Sequence, residues 1–314
     1  MARQHDDAGP GCILGLGCVA VDELLYVADL PRDGKAAVLR RERRCGGTTA
    51  TALMAAARLG APSAYAGVLG NDKASNFAAK CLARHGVNLK WLKSEPSARP
   101  IRCTIVVKES DGSRSVFYDL NEAVGAMQGW PPKEALQSAG VLLVDTLGMP
   151  GMVEAAQTAR HAGIPIVADL ESDETPLFGE LLSLVDHLIV SEAFALRITS
   201  AVDAAAACRR LWHSGRQAVV VTCGAAGCWF IGPEAGEQGQ SLHLPALPVK
   251  AIDTTGCGDV FHGAYAAALL RPLPLIDRLK MATAAAGYAA SRTAGQVRLA
   301  TWEEVSRLLS DWQR

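Results

Sequence analysis

Several functional classes are missing their signatures in this chain of 314 residues. No CxxC or HExxH pattern occurs, so the spacing that a zinc site needs is absent. The nine cysteines are odd in number and scattered, at 12, 18, 45, 81, 103, 208, 223, 228 and 257. A disulfide framework is therefore not expected, and reduced thiols in a cytoplasmic protein are. Aromatic residues make up only 5% and show no stacking stripe, and the formal net charge is −1. Neither feature advertises nucleic acid or an anionic membrane as a partner. No run of about 18 apolar residues exists, so no membrane span is expected. The first ten residues, MARQHDDAGP, carry two acids and no apolar stretch, and read as a loose tail rather than a signal peptide. A Walker A loop is also missing, because Gly34-Lys35 lacks the upstream glycine and the following Ser or Thr.

What is present points to an α/β enzyme. From about residue 140, apolar bursts alternate with helical patterns: VLLVDTL (141–147), GMVEAAQTARHAG (151–163), IPIVADL (164–170), DHLIVS (186–191) and QAVVVTCG (217–224). Continuous Val/Ile/Leu runs separated by helices imply a mainly parallel sheet buried on both faces, in a three-layer α/β sandwich. Residues 22–45 and 101–120 break the rhythm, because they alternate apolar and polar residues as half-exposed antiparallel strands do. The second has a hairpin signal at Asp111-Gly112. Together they are expected to form a discontinuous β-sheet that covers a cleft as a lid; an edge extension or a dimer surface are the other readings. The main domain then comprises 11–21, 46–100 and 121–314, after a tail at 1–10. GPEAGEQGQ (232–240) reads as a surface loop, and the cluster Arg40, Arg41, Arg43, Arg44 as a solvated strand edge.

Three glycine-rich segments precede possible ligand sites. GLGCVA (15–20) matches a dinucleotide-binding pattern, but VDELLYVADLP follows it with strand-like alternation where that fold needs a helix. CGGTTATALMAAARLG (45–60) places paired glycines before an Ala-rich helix, either to admit a ligand or as a plain turn. IDTTGCGDVFHG (252–263) leads into a helix with Val260, Phe261, Ala264 and Tyr265 on one face, which puts Gly258 and Asp259 at its start. Free N–H groups and a partial positive charge at such a start form an anion pocket, and bare glycines allow close approach. Asp259 is then placed to accept a proton beside a transferring phosphate; the plainer alternative is a helix cap with a tight turn.

The two latter segments together resemble the signatures of the ribokinase (PfkB-type) sugar kinases, and the likeness spans essentially the whole chain. The resemblance implies an ATP-dependent carbohydrate kinase using Mg²⁺ and a monovalent cation such as K⁺. By that resemblance Asp259 matches the catalytic base, and Gly256, Cys257 and Gly258 the backbone anion hole. Asp22, Gly46, Gly47 and Thr51 match the sugar-binding positions, and Arg114 the lid arginine. Thr222, Gly224 and Gly227 match the nucleotide loop, with Thr283 where an asparagine is usual near adenine. Asp253 and Thr255 match positions tied to the monovalent cation. Three positions depart from the family: Thr51 and Thr283 replace asparagines, and Ser191-Glu192-Ala193-Phe194 stands where NxxE organises magnesium, leaving Glu192 as the nearby acid. GGTTATALMAAARLG and GDVFHGA look closest to the sulfofructose kinase branch, in which Lys35 would face the acceptor's anionic end; Tyr118 and Leu147 replace two of that branch's polar groups. A kinase acting on a primary hydroxyl of a hexose or ketose is therefore expected, with a sulfosugar as the subsidiary option; an exposed lid sheet invites a homodimer. A nucleoside kinase of the same fold, or a sugar-binding regulator without turnover, are the alternatives.

Overall fold

The structure, a computed structural model, describes residues 11–30, 33–110, 113–233, 239–292 and 299–312. The expected tail at 1–10, the turn at Asp111-Gly112 and most of the 232–240 loop lie outside them. In chain order the strands are β1 Cys12–Leu16, β2 Ala20–Val27, β3 Val38–Gly46, β4 Ser63–Tyr65, β5 Val68–Leu69, β6 Lys93–Ser94, β7 Ile101–Lys108, β8 Arg114–Asp119, β9 Ala139–Val144, β10 Ile166–Asp169, β11 His187–Ser191, β12 Ala218–Thr222, β13 Cys228–Ile231 and β14 Leu242–Leu244. The helices are α1 Thr48–Arg58, α2 Lys73–Arg84, α3 Lys133–Gln137, α4 Met149–His161, α5 Phe178–Leu184, α6 Glu192–Thr199, α7 Ala204–Leu211, α8 Cys257–Leu269, α9 Leu275–Ala290 and α10 Trp302–Trp312.

The main sheet has the order β14-β13-β12-β11-β10-β9-β1-β4. From β12 to β4 every pairing is parallel, and β13 and β14 add an antiparallel edge. Helices cover both faces, so the central strands carry apolar residues at every position: Val141 to Val144 and Ala218 to Val221 are all buried. One apolar core lies on the α1, α8 and α9 face and the other on the α4 to α7 face. This is the α/β sandwich expected from the alternating pattern. The antiparallel β13–β14 edge is an addition: Gly227, at φ 92°, reverses the chain directly after β12.

A second sheet, in the order β3-β2-β7-β8, is built from the two alternating segments. It begins at Ala20 and extends to Gly46, slightly beyond the alternation, because backbone pairing of Ala20 with Gly46 continues where the chain re-enters the main body. One face carries a small cluster of Leu24, Tyr26 and Ile105.

The Ala-rich helices have a positional purpose. A Cβ added at Gly263 would stand 2.1 Å from the Ala52 carbonyl oxygen, so α1 and α8 meet almost backbone to backbone. Ala52, Ala55 and Ala56 on α1, and Ala264 and Ala267 on α8, are all buried. Close packing of these helices brings their glycine-capped N-termini, Gly47 and Gly256, to one cleft.

Candidate active site

That cleft has a volume of about 930 Å³ and is lined by Asp22, Gly46, Gly47, Thr51, Gly256 and Asp259, among others. Thr255 lines it as well. The first turn of α8 begins at Gly256, whose φ of 72° suits only glycine. A Cβ there would enter the cleft 3.6 Å from both the Asp259 carboxylate and the Thr51 methyl. A Cβ at Gly258 would meet nothing within 4 Å, so this glycine leaves the backbone open rather than satisfying a packing need. Cys257 completes the turn, with its thiol directed to the Asp253 carbonyl oxygen at 3.9 Å. No side chain caps this helix end, so Asp259 is not its N-cap. The Cys257 N–H meets the Thr254 carbonyl oxygen at 3.3 Å, and the positive end of the helix dipole favours an anion at this turn.

Asp259 is half-buried. Burial, reinforced by the negative charges of Asp169 and Glu171, pushes its carboxyl well above the usual range, while His262 opposes them. Asp169 and Glu171 come from the end of β10, in ADLESDE, and sequence reading passed them over. Their signal was position: acids just past the carboxyl end of a parallel strand lie where open α/β sheets bind ligands.

The two glycines before α1 have separate duties. A Cβ at Gly46 would lie 2.4 Å from Asp22 Oδ2, so glycine here makes room for that carboxylate. A Cβ at Gly47 would stand 2.7 Å from the Ala20 nitrogen, and its φ of 96° is left-handed, so Gly47 is required by the turn itself. Burial raises the Asp22 carboxyl above its usual value, against the thiol of Cys103 and the charge of Arg44. Beneath the turn, Asp145 is buried just past β9 and was also missed. It accepts from Cys18 N at 2.6 Å, Thr49 Oγ1 at 2.7 Å and Leu147 N at 2.8 Å, tying together three chain segments that shape the cleft. Desolvation pushes its carboxyl up to about 6.

The second sheet reaches across to the loop before α8 through both its edge strands. Arg114 of β8 donates to Asp253 Oδ1 at 3.2 Å and approaches Thr254 Oγ1 at 3.5 Å. Arg44 of β3 lies 3.8 Å from Asp253 Oδ2 and also holds Glu42 at 2.8 Å. Arg44 is therefore not the solvated strand-edge residue expected; register opposite Asp22 turns it toward the cleft. Asp253 Oδ1 also accepts from Thr255 N at 2.9 Å, so the expected cation-site carboxylate is here shared by two guanidinium groups.

The remaining expected residues lie elsewhere. Thr222 ends β12 beside Ser191 of β11, and its Oγ1 donates to the Val190 carbonyl oxygen at 3.3 Å. Gly224 and Gly227 hold left-handed backbone at φ 56° and 92°. Glu192 is exposed in the first turn of α6, one residue past Ser191, whose side chain caps that helix. Asp169, Glu192 and Thr222 thus mark the carboxyl ends of three successive strands. Thr283 is buried on α9 and outside the cleft lining. Lys35 is exposed on the β2–β3 link, outside the cleft. Gly46 and Asp22 lie at the opposite end of that hairpin, and seven residues of strand separate the two ends by roughly 20 Å. His262 bonds within its own helix and is tied to β10 and β11 as well. Among the described residues, no group of three or more His, Cys, Asp or Glu side chains is disposed to hold a metal ion.

A sandwich of this topology, with a glycine-opened helix start and a carboxylate beside it, offers an anion-binding cleft of the kind phosphoryl transfer uses. Residues 16–302 match the model of the pfkB family carbohydrate kinases, and the chain belongs to that family. The ribokinase of Arabidopsis thaliana is 29% identical over 302 residues, covering 89% of this chain and 76% of that protein. The fructokinase of Klebsiella pneumoniae is 28% identical over 260 residues, covering 77% of this chain and 81% of the other. The fold is shared with the solved structure of Arabidopsis thaliana ribokinase complexed with ribose and ATP, at a TM-score of 0.80 and 23% identity, over 95% of this chain and 98% of that one. The chain is therefore a PfkB-type sugar kinase with the ribokinase-like sandwich. No helix among the described residues is long and apolar enough to cross a membrane.

Proposed function

We propose that the chain transfers the γ-phosphoryl group of ATP to a primary hydroxyl of a hexose or ketose. The observation that carries this reading is the shared cleft of Asp22, Thr51 and Asp259, closed at one end by the uncapped start of α8. Asp22 and Thr51 hold acceptor hydroxyls, and Asp259 takes the proton of the hydroxyl that attacks phosphorus. The N–H groups of Gly256, Cys257 and Gly258 receive the charge growing on the transferred group. The β3-β2-β7-β8 sheet acts as the lid, with Arg44 and Arg114 delivering positive charge to the phosphate side, and its closure keeps water from competing. Thr222, Gly224 and Gly227 form the nucleotide loop, and Thr283 is the nearby α9 residue to probe for base preference. Magnesium, when bound with ATP, neutralises phosphate charge, with Glu192 the protein acid at hand; Asp253 and Thr255 are the residues to probe for K⁺ dependence. The exposed Phe117 and Tyr118 of β8, 61% and 68% accessible, support a homodimer through the lid.

An acceptor panel tests the reading. ADP release is measured with fructose, ribose, sulfofructose, ketodeoxygluconate and adenosine. Release with a hexose or ketose is the expected result. Preference for adenosine would make the protein a nucleoside kinase, and sugar binding without ADP release would make it a regulator; either outcome overturns the proposal. A clear preference for sulfofructose would support the branch resemblance and extend the acceptor to a sulfosugar.

A further inference from the structure

His262 lies on α8 one turn after Asp259, and the transfer outlined above gives it no role. Its side chain is only 5% exposed. Nδ1 stands 2.8 Å from the Gly258 carbonyl oxygen and 3.0 Å from Asp169 Oδ2. Nε2 stands 3.0 Å from the Ile189 carbonyl oxygen, on β11. Carbonyl and carboxylate oxygens only accept. A neutral imidazole has one N–H and one lone pair, so either tautomer would press a lone pair against a buried oxygen. The geometry is satisfied only when both nitrogens donate and the ring is a cation. Asp169, itself 10% exposed, is the counter-charge at hand.

The cation stands among acids. Asp169 at the end of β10, Glu171 just beyond it and Asp145 just past β9 all bring negative charge that favours the protonated form of Asp259. His262 opposes them from its own helix. A base that must accept a proton near neutrality is useless if already protonated. Resting on the reading of Asp259 as the base, we propose that His262, paired with buried Asp169, is a positioning element that offsets the charge of that aspartate and so favours the ionised form of Asp259, by setting a cation one helical turn behind it. The pair also fixes the head of α8, because the same ring bonds Gly258 in the anion-binding turn and ties it to β10 and β11.

The charge state is tested on the unmodified protein with no acceptor or nucleotide. In ¹⁵N-histidine NMR, His262 should show both ring nitrogens protonated at neutral pH, with titration displaced to about 9. A neutral tautomer at pH 7 would overturn the proposal, whatever the protein phosphorylates. The consequence is tested on turnover with the acceptor found in the panel. His262→Gln should move the acid limb of kcat upward by about one pH unit, with the acceptor KM little changed. The double variant His262→Gln/Asp169→Asn removes both charges and should return the limb toward the wild-type position. A limb left in place by His262→Gln, or one the double variant fails to restore, contradicts an electrostatic role. A purely structural histidine would lower the amount of active enzyme and leave the limb where it was.

Discussion

Gly46 and Asp22 show how a single missing Cβ shapes this site. The Asp22 carboxylate occupies space that any side chain at position 46 would claim, at 2.4 Å. Gly46→Ala should therefore displace Asp22 and raise the acceptor KM by about tenfold or more, some 1.4 kcal/mol, while the ATP KM stays near its original value. Equal effects on both constants, or none, would mean that Asp22 does not hold the acceptor. At this scale the sequence was half legible. Gly256, Gly258 and Asp259 lie within four residues of one another, and the physics of a helix start connects them without a fold. Asp145, Asp169 and His262 act through partners more than 90 residues away or on separate strands, and no local pattern reports such contacts. Arg44 was misjudged for the same reason: its tie to Asp253 depends on strand pairing with Asp22, which no charge pattern in RRERR reports, and Arg43 lines the cleft beside it.

Among elements, the contact of α1 with α8 sets the site. Gly263→Ala would drive a Cβ against the Ala52 carbonyl oxygen, and a backbone atom inside a helix yields little. We expect a loss of about 1–3 kcal/mol of stability, together with reduced turnover, since the two helix starts would separate. Thermal unfolding and kcat measured on the same preparation check this; an unchanged melting temperature would mean that the helices adjust freely. Arg114→Ala removes the β8 anchor to Asp253 and should weaken ATP-dependent turnover, without much change in stability, because the pair is partly exposed. Elements were the most legible level. Apolar runs such as VLLV and AVVV could only be buried strands, and period-2 alternation marked the second sheet. Short pieces such as β4, β5 and β6, only two or three residues long, fall below any periodicity. The antiparallel β13–β14 edge follows a turn at Gly227, where a Cβ would lie 2.1 Å from the Leu244 carbonyl oxygen, a close approach that only tertiary pairing creates.

For the molecule as a whole, two buried histidines pull stability in opposite directions as pH changes. His187 is buried with Nδ1 3.0 Å from the Tyr265 hydroxyl, and desolvation lowers its pKa to about 3. Below about 6.5 the unfolded chain takes up a proton that the folded ring refuses, so stability falls as pH drops from there toward 3. His262 behaves in the reverse sense. Asp169 and the two carbonyl partners outweigh desolvation and raise it to about 9. The folded state then keeps a proton that the unfolded chain releases above about 6.5, so stability falls as pH rises from there through 9. Each slope is at most about 1.4 kcal/mol per pH unit. Melting temperatures measured between pH 5 and 9 should fall less steeply on the alkaline side in His262→Gln than in the wild type. An alkaline limb as steep in the variant as in the wild type would contradict the charged state of the ring.

The whole-molecule architecture was readable from two distant motifs because both are helix starts that must meet for either to work. What composition could not supply was the acceptor, since hydroxyl recognition rests on a few polar groups whose spacing is fixed by tertiary packing. The base assignment remains the point on which the chemistry turns. The direct test is Asp259→Asn, measured by acceptor and ATP binding alongside single-turnover transfer. Binding should persist while the transfer rate falls by about a hundredfold or more. A variant that transfers phosphate at close to the wild-type rate would contradict the account.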